Sequence, residues 1–175
     1  MKRRAARQFD LHQLALLTRA IRRGEELVAD HYRIPMLPCK QYPYEVVTLS
    51  EIQGPERARE ALAHLVVYER SRPAGAEHLY RICLQDDAIL RRAGSEGDDW
   101  LCALLVYVLT HELVHVVRFQ RAEQSYQAPA STRQREEDEV HRITLGLLRS
   151  GAEPRWERLN ELYGNPVVPA QVIGE

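Results

Sequence analysis

Apolar residues recur along this chain with helical spacing in four places and with strand-like alternation in two. Leu11, Leu14, Leu17, Ile21 and Val28 fall largely on one stripe, and Asp10 precedes them as a capping residue, which predicts a helix over about 10–29. Three prolines, Pro35, Pro38 and Pro43, make the next stretch a loop. Residues 44–49 are β-branched and aromatic enough for a strand. Gly54-Pro55 starts a second predicted helix with Ala58, Ala61, Leu62, Leu65 and Val66 as its apolar face. Residues 72–76, carrying Pro73 and Gly75, form a turn, and 79–84 alternate loosely as another strand. A loop with Gly94, Ser95 and Gly97 leads to Asp98 or Asp99 as the cap of a helix from Trp100 to about Arg121. That helix is the most apolar in the chain and therefore central. Pro129 lies in the loop that follows, a fourth helix spans about 133–149 and ends near Gly151 and Pro154, and a short helix covers 155–162. The tail after 164 contains Pro166 and Pro169 and no helical pattern.

Composition narrows the class. The chain has 175 residues, 45% of them hydrophobic, enough for one domain with a real core. No internal repeat or second domain is visible. A net charge of −1 and a pI near 6.7 argue against a nucleic-acid groove, and Lys2, Arg3, Arg4 and Arg7 read as a solvated end. Cys39, Cys83 and Cys102 are an odd, scattered set with no CxxC pair, which fits a reducing compartment. The N-terminal apolar pattern is interrupted by His12, Gln13 and Arg19, unlike a signal segment, and the run 101–109 is about half the length that spans a bilayer. The expectation is a soluble, cytoplasmic protein with no membrane partner; oligomeric state stays open.

Candidate chemistry sits in the central helix, at His111-Glu112-Leu113-Val114-His115. Histidines at i and i+4 share a helix face, and their imidazoles can converge on one tetrahedral metal. Glu112 is rotated about 100° from His111, so it addresses the water on the metal rather than the metal. Chance alone would produce this pattern in roughly 3% of chains of this composition, so its setting matters. Leu104, Val108 and Val114 bury the helix, and such an interior rarely spends three ionisable residues without a use. The competing reading is a set of core histidines satisfied by hydrogen bonds with Glu112.

A third protein ligand is expected on the next helix, within Glu136-Glu137-Asp138-Glu139-Val140-His141. Glu139 shares a face with Ile143 and stands at the edge of the apolar stripe formed by Val140, Ile143, Leu147 and Leu148. It is the first candidate, Glu136 the second and His141 the third.

His111-Glu112-x-x-His115 followed by a second helix with a glutamate resembles the gluzincin metallopeptidases, above all the minigluzincins and ImmA/IrrE-like peptidases. In the latter the second helix typically reads Glu-Ala-Asn-x-Phe-Ala-x-x-Leu-Leu, which Glu139, the apolar positions and the pair Leu147-Leu148 match. His141 stands where asparagine is usual, and Arg149-Ser150 replaces a common Met-Pro. The resemblance covers about 79–149. It implies a zincin-like α+β domain with its catalytic core in 79–149; the resemblance does not reach 1–75, whose two predicted helices and strand are expected to build the supporting half of a single domain over 1–163, and 164–175 reads as a flexible tail. The active-site helix and the glutamate helix would pack under a short mixed β-sheet. It also implies Zn2+, a peptide or protein substrate paired by β-augmentation with the strand 79–84, and an oxyanion-steadying tyrosine or histidine. Tyr126 is one candidate for that role, and His141 is either second shell or ligand. Asp98 and Asp99 are helix caps or orienting partners of a ligand histidine. Metzincins are disfavoured because neither the glycine nor the third histidine of their motif follows His115.

The primary expectation is a zinc endopeptidase with Glu112 as general base. The alternative is a zinc-binding, latent or catalytically weak regulatory module, whose tail can lie in the cleft. The third is a metal-free helical interaction domain.

Overall fold

The computed structural model describes residues 7–58, 61–72, 75–123, 129–164 and 173–174. Five α-helices and a small mixed sheet make an α+β fold: α1 Leu11–Tyr32, β1 Tyr44–Val47, β2 Ala63–Arg72, β3 Gly75–Leu84, α2 Asp86–Ala93, α3 Asp98–Gln120, α4 Ala130–Ser150, α5 Trp156–Tyr163 and a two-residue β4 Ile173–Gly174. The sheet order is β1-β3-β2-β4, with β1–β3 and β2–β4 parallel and β2–β3 antiparallel.

α3 is the axis of the molecule. Its side chains are apolar all round, and Leu104, Leu105, Leu109, Leu113, Val114 and Val116 are fully buried. Each such Leu or Val contributes about 1.5–3 kcal/mol on burial. By length and composition α3 could cross a membrane, yet 89% of its most apolar window is buried inside this fold. Its walls are α1, α4 and the inner face of the sheet, where Leu65, Val67, Tyr80 and Ile82 alternate inward. α1 packs against α3 at Gly24, where a Cβ would meet Leu109 and Thr110 at ordinary contact distances. Asp10 caps α1 as expected, and Gln13 completes a capping box: the Asp10 carboxylate accepts from Gln13 N at 2.8 Å while Gln13 Oε1 accepts from Asp10 N at 3.0 Å.

Three sequence expectations are corrected here. No helix follows Gly54-Pro55; a single 3-10 turn at Gly54–Glu56 gives way to β2. Ala58, Ala61, Leu62, Leu65 and Val66 mimic helical spacing, but Ala63, Leu65 and Val67 face the core while Tyr68 faces out, a period of two. The eight-residue α2 occupies part of what reads as loop, and its buried Asp86 carboxylate accepts from Phe9 N at 3.0 Å and Leu49 N at 2.9 Å. The strand 79–84 is real and longer, but over Tyr80–Cys83 it is interior: β1 and β2 flank it there, so that stretch of backbone is closed to an added peptide strand. The outer strands are β1 and β4, and β4 covers β2 only at Val66 and Val67, which pair with Ile173 and Gly174.

Gly97, not an aspartate, is the N-cap of α3; Asp98 and Asp99 lie in its first turn, where negative charge suits the helix dipole.

Candidate metal centre

α3 and α4 carry the site. His111 and His115 stand one turn apart on α3, rings 4.9 Å apart, and both turn Nε2 toward the same carboxylate. That carboxylate belongs to Glu137: its Oε2 lies 3.5 Å from His111 Nε2 and its Oε1 3.2 Å from His115 Nε2. The three ligand-type atoms all fall within 4.8 Å of one another. Donors about 2.0–2.2 Å from a tetrahedral zinc lie about 3.3–3.5 Å apart, so the donor set and its spacing fit such an ion. The site is interior, with side-chain exposures of 12% for His111, 2% for His115 and 11% for Glu137.

Glu137 lies in the acidic run but was not among the sequence candidates, and the reason is rotational. The buried stripe of α4 is Val140, Thr144, Leu147 and Leu148, whereas Ile143 is only half-buried. Glu137 precedes Val140 by three and Thr144 by seven, squarely on that stripe. Anchoring the face on Ile143 turns it toward Glu139 and Glu136 instead. Glu139 is partly exposed and bound twice by Arg142, at 2.8 and 2.6 Å, and Glu136 is bound by Arg118 Nη2 at 2.7 Å. Neither carboxylate meets the histidines. His141 is one turn beyond Glu137; its Nδ1 is 3.0 Å from the Tyr107 hydroxyl and its ring 6.2 Å from that of His111, outside the ligand cluster. Tyr126 lies outside the described residues. Asp98 binds His12 Nε2 at 2.7 Å at the start of α3, about 20 Å along the axis from His111.

Burial and charge set the ionisation of the cluster. Desolvation would raise the Glu137 carboxyl, but hydrogen bonds and charge from His111 and His115 bring it well below the carboxylate range. Burial lowers His111, which favours the neutral imidazole that a metal needs. Glu112 is 3% exposed, and its Oε2 has no hydrogen-bond partner. Desolvation pushes its carboxyl up to about 7, with His115 opposing and Glu137 adding to the rise. Two histidines, one ionised carboxylate and a second carboxyl poised near neutrality thus occupy one buried pocket of side chains.

No protein-family model, curated protein or solved structure matches this chain.

Proposed function

We propose that this protein is a zinc-dependent peptidase of gluzincin type, with a zincin-like domain in which His111, His115 and Glu137 are the metal ligands and Glu112 is the general base. The observation that carries the reading is the convergence of His111 Nε2 and His115 Nε2 on the Glu137 carboxylate. Bound zinc would supply a water of pKa about 7 and polarise a peptide carbonyl. Glu112 sits beside that position on the same helix but is turned off the ligand face. Its Oε2, which has no hydrogen-bond partner among the described residues, would be free to accept a proton from water held there and to pass it on to the leaving amine. Glu137 keeps its negative charge throughout, which holds the cation and leaves proton traffic to Glu112. The substrate would be an extended peptide, and β2, which packs against α3 and is covered by β4 at only two positions, is the strand that would offer it backbone groups.

A second reading, a latent or weakly active zinc module, has its own support. Glu112 is closed to solvent, and the β2 edge is already paired at Val66 and Val67 by the chain's own residues.

Metal content per chain tests both, on untagged protein purified without added metal. One zinc is expected, lost in Glu137→Ala and kept in Glu139→Ala. Peptide hydrolysis is then expected to fall by three orders of magnitude or so in Glu112→Gln with zinc still bound, since the proton acceptor alone is removed. Zinc without hydrolysis would select the latent module. No zinc bound, even on addition, would leave a metal-free helical scaffold and end the proposal.

A further inference from the structure

Two buried nitrogens beside the centre have no part in the ligand set. His111 points Nε2 at Glu137, and its Nδ1, on the other side of the ring, is buried without a hydrogen-bond partner. His141 meets Tyr107 through Nδ1 at 3.0 Å, and its Nε2 is also buried without a partner. The two rings are 6.2 Å apart and inclined at 67°. No direct bond joins them, and a water between the two nitrogens would give each the partner it lacks among the described residues. Buried ring nitrogens are rarely left unpaired, and a ligand imidazole gains metal affinity when its second nitrogen donates to a fixed acceptor.

We infer that His141 is a positioning residue for His111, coupled to it through one buried water and fixed from the far side by Tyr107. The inference rests on the zinc reading, in which Nε2 of His111 is the ligand atom. That role puts the His111 proton on Nδ1, which donates to the water. The water donates to Nε2 of His141. His141 therefore carries its proton on Nδ1 and donates it to the Tyr107 oxygen. Tyr107 cannot drift: the ring of Tyr163 stacks on it at 4.4 Å and 14°, and the Tyr163 hydroxyl accepts from Arg92 Nε at 3.0 Å. Tyr107 is buried and its phenol is held neutral by desolvation. The chain from α2 through α5 and α3 to α4 thus sets the angle of one ligand ring.

The full-length protein tests this by zinc competition with a chromophoric chelator and by long-range 1H–15N spectra of the histidine rings. His141→Phe should weaken zinc binding about 10- to 100-fold. His141→Gln, whose carbonyl can accept from the same water, should recover most of that loss. Tyr107→Phe keeps the stack but removes the acceptor that fixes the His141 tautomer, so it should weaken zinc about 3- to 10-fold and shift His141 toward the Nε2–H form. The zinc-bound natural protein should show both His111 and His141 as Nδ1–H. Zinc affinity unchanged within twofold in His141→Phe, or His141 found as Nε2–H in the natural protein, would overturn the inference while leaving the metal site intact. A cobalt-substituted spectrum that loses a nitrogen ligand in both His141 variants would overturn it in favour of direct ligation. Absence of zinc from the natural protein would instead remove the site reading on which the inference depends.

Discussion

Burial makes the stability of this fold depend on the charge of Glu112. Its folded acidity lies near 7 against an ordinary value of 4.5, because burial penalises its charge. A raised carboxyl contributes stability fully below the unfolded value, and that contribution is lost as pH rises through 7. At pH 8 the charged, buried carboxylate therefore costs up to about 3 kcal/mol, taking about 1.4 kcal/mol for each pH unit of the shift. Urea unfolding of the metal-free protein is expected to show Glu112→Gln more stable than the natural chain at pH 8 and nearly equal at pH 4.5. An equal gap at both values would mean the site is wetter than its burial indicates. Glu137 has the opposite sign: its carboxyl is depressed by the two histidines, so its contribution is present above the ordinary carboxylate range and lost as pH falls through the folded value. His111, lowered by burial, adds to that acid-side loss, since the unfolded chain takes up its proton first. The thermal midpoint of the metal-free protein should accordingly drop on acidification below the ordinary carboxylate value of 4.5, where the Glu112 contribution is already complete and that of Glu137 is lost, and much of that drop should vanish in Glu137→Gln.

Element positions are set by close contacts that can be probed with a single methyl group. Gly24 is in the interior of α1, and an added Cβ would sit 3.4 Å from Thr110 N and Oγ1 and 3.5 Å from Leu109 Cβ, ordinary contact distances. Gly24→Ala is expected to be neutral or to stabilise by up to about 1 kcal/mol through helix propensity. Gly151 ends α4 against α1, where a Cβ would meet Leu27 Cδ2 at 2.5 Å, Arg23 Nη2 at 3.0 Å and Leu147 O at 3.2 Å. Gly151→Ala should therefore destabilise by about 1–3 kcal/mol, as overpacking does. Denaturant midpoints of the two variants give the comparison, and a loss in Gly24→Ala as large as in Gly151→Ala would mean that α1 and α3 tolerate less than the spacing suggests. The helical spacing that misleads at 58–66 belongs to this scale too. Short apolar runs fit both periods, and β2 is decided by β3: Ala63 to Arg72 each find a partner in an antiparallel ladder that no local pattern announces.

Across the whole molecule, β2 packs against α3, and its His64 lies close enough to Glu112 to act on its charge. β4 covers only two positions of β2, yet those positions lie on the edge where a peptide would pair. Removing residues 165–175 is expected to keep the fold, because its core is built by α1, α3, α4 and the three longer strands, and to raise peptide hydrolysis several-fold by freeing the backbone of Val66 and Val67. The rates of truncated and full-length protein on one unstructured peptide measure this. Equal rates would show that β4 does not limit access.

The chain's own pattern carried the α+β class, the strands near 44–49 and 79–84, four of the five helices and the pairing of His111, Glu112 and His115, because each depends on periodicity or spacing within one element. Tertiary structure decided what spacing cannot express. Which carboxylate of an acidic run faces inward depends on how α4 is rotated against α3, and a rotation of about one residue, roughly 100°, exchanges Glu136 for Glu137. Whether a strand is an edge depends on what comes to lie beside it, and β3 acquires β1 on one side and β2 on the other. The link from Tyr107 to His141 joins residues 34 apart that local sequence treats as unrelated. Packing free energy selects these arrangements over the whole chain at once, so no window of a dozen residues contains them.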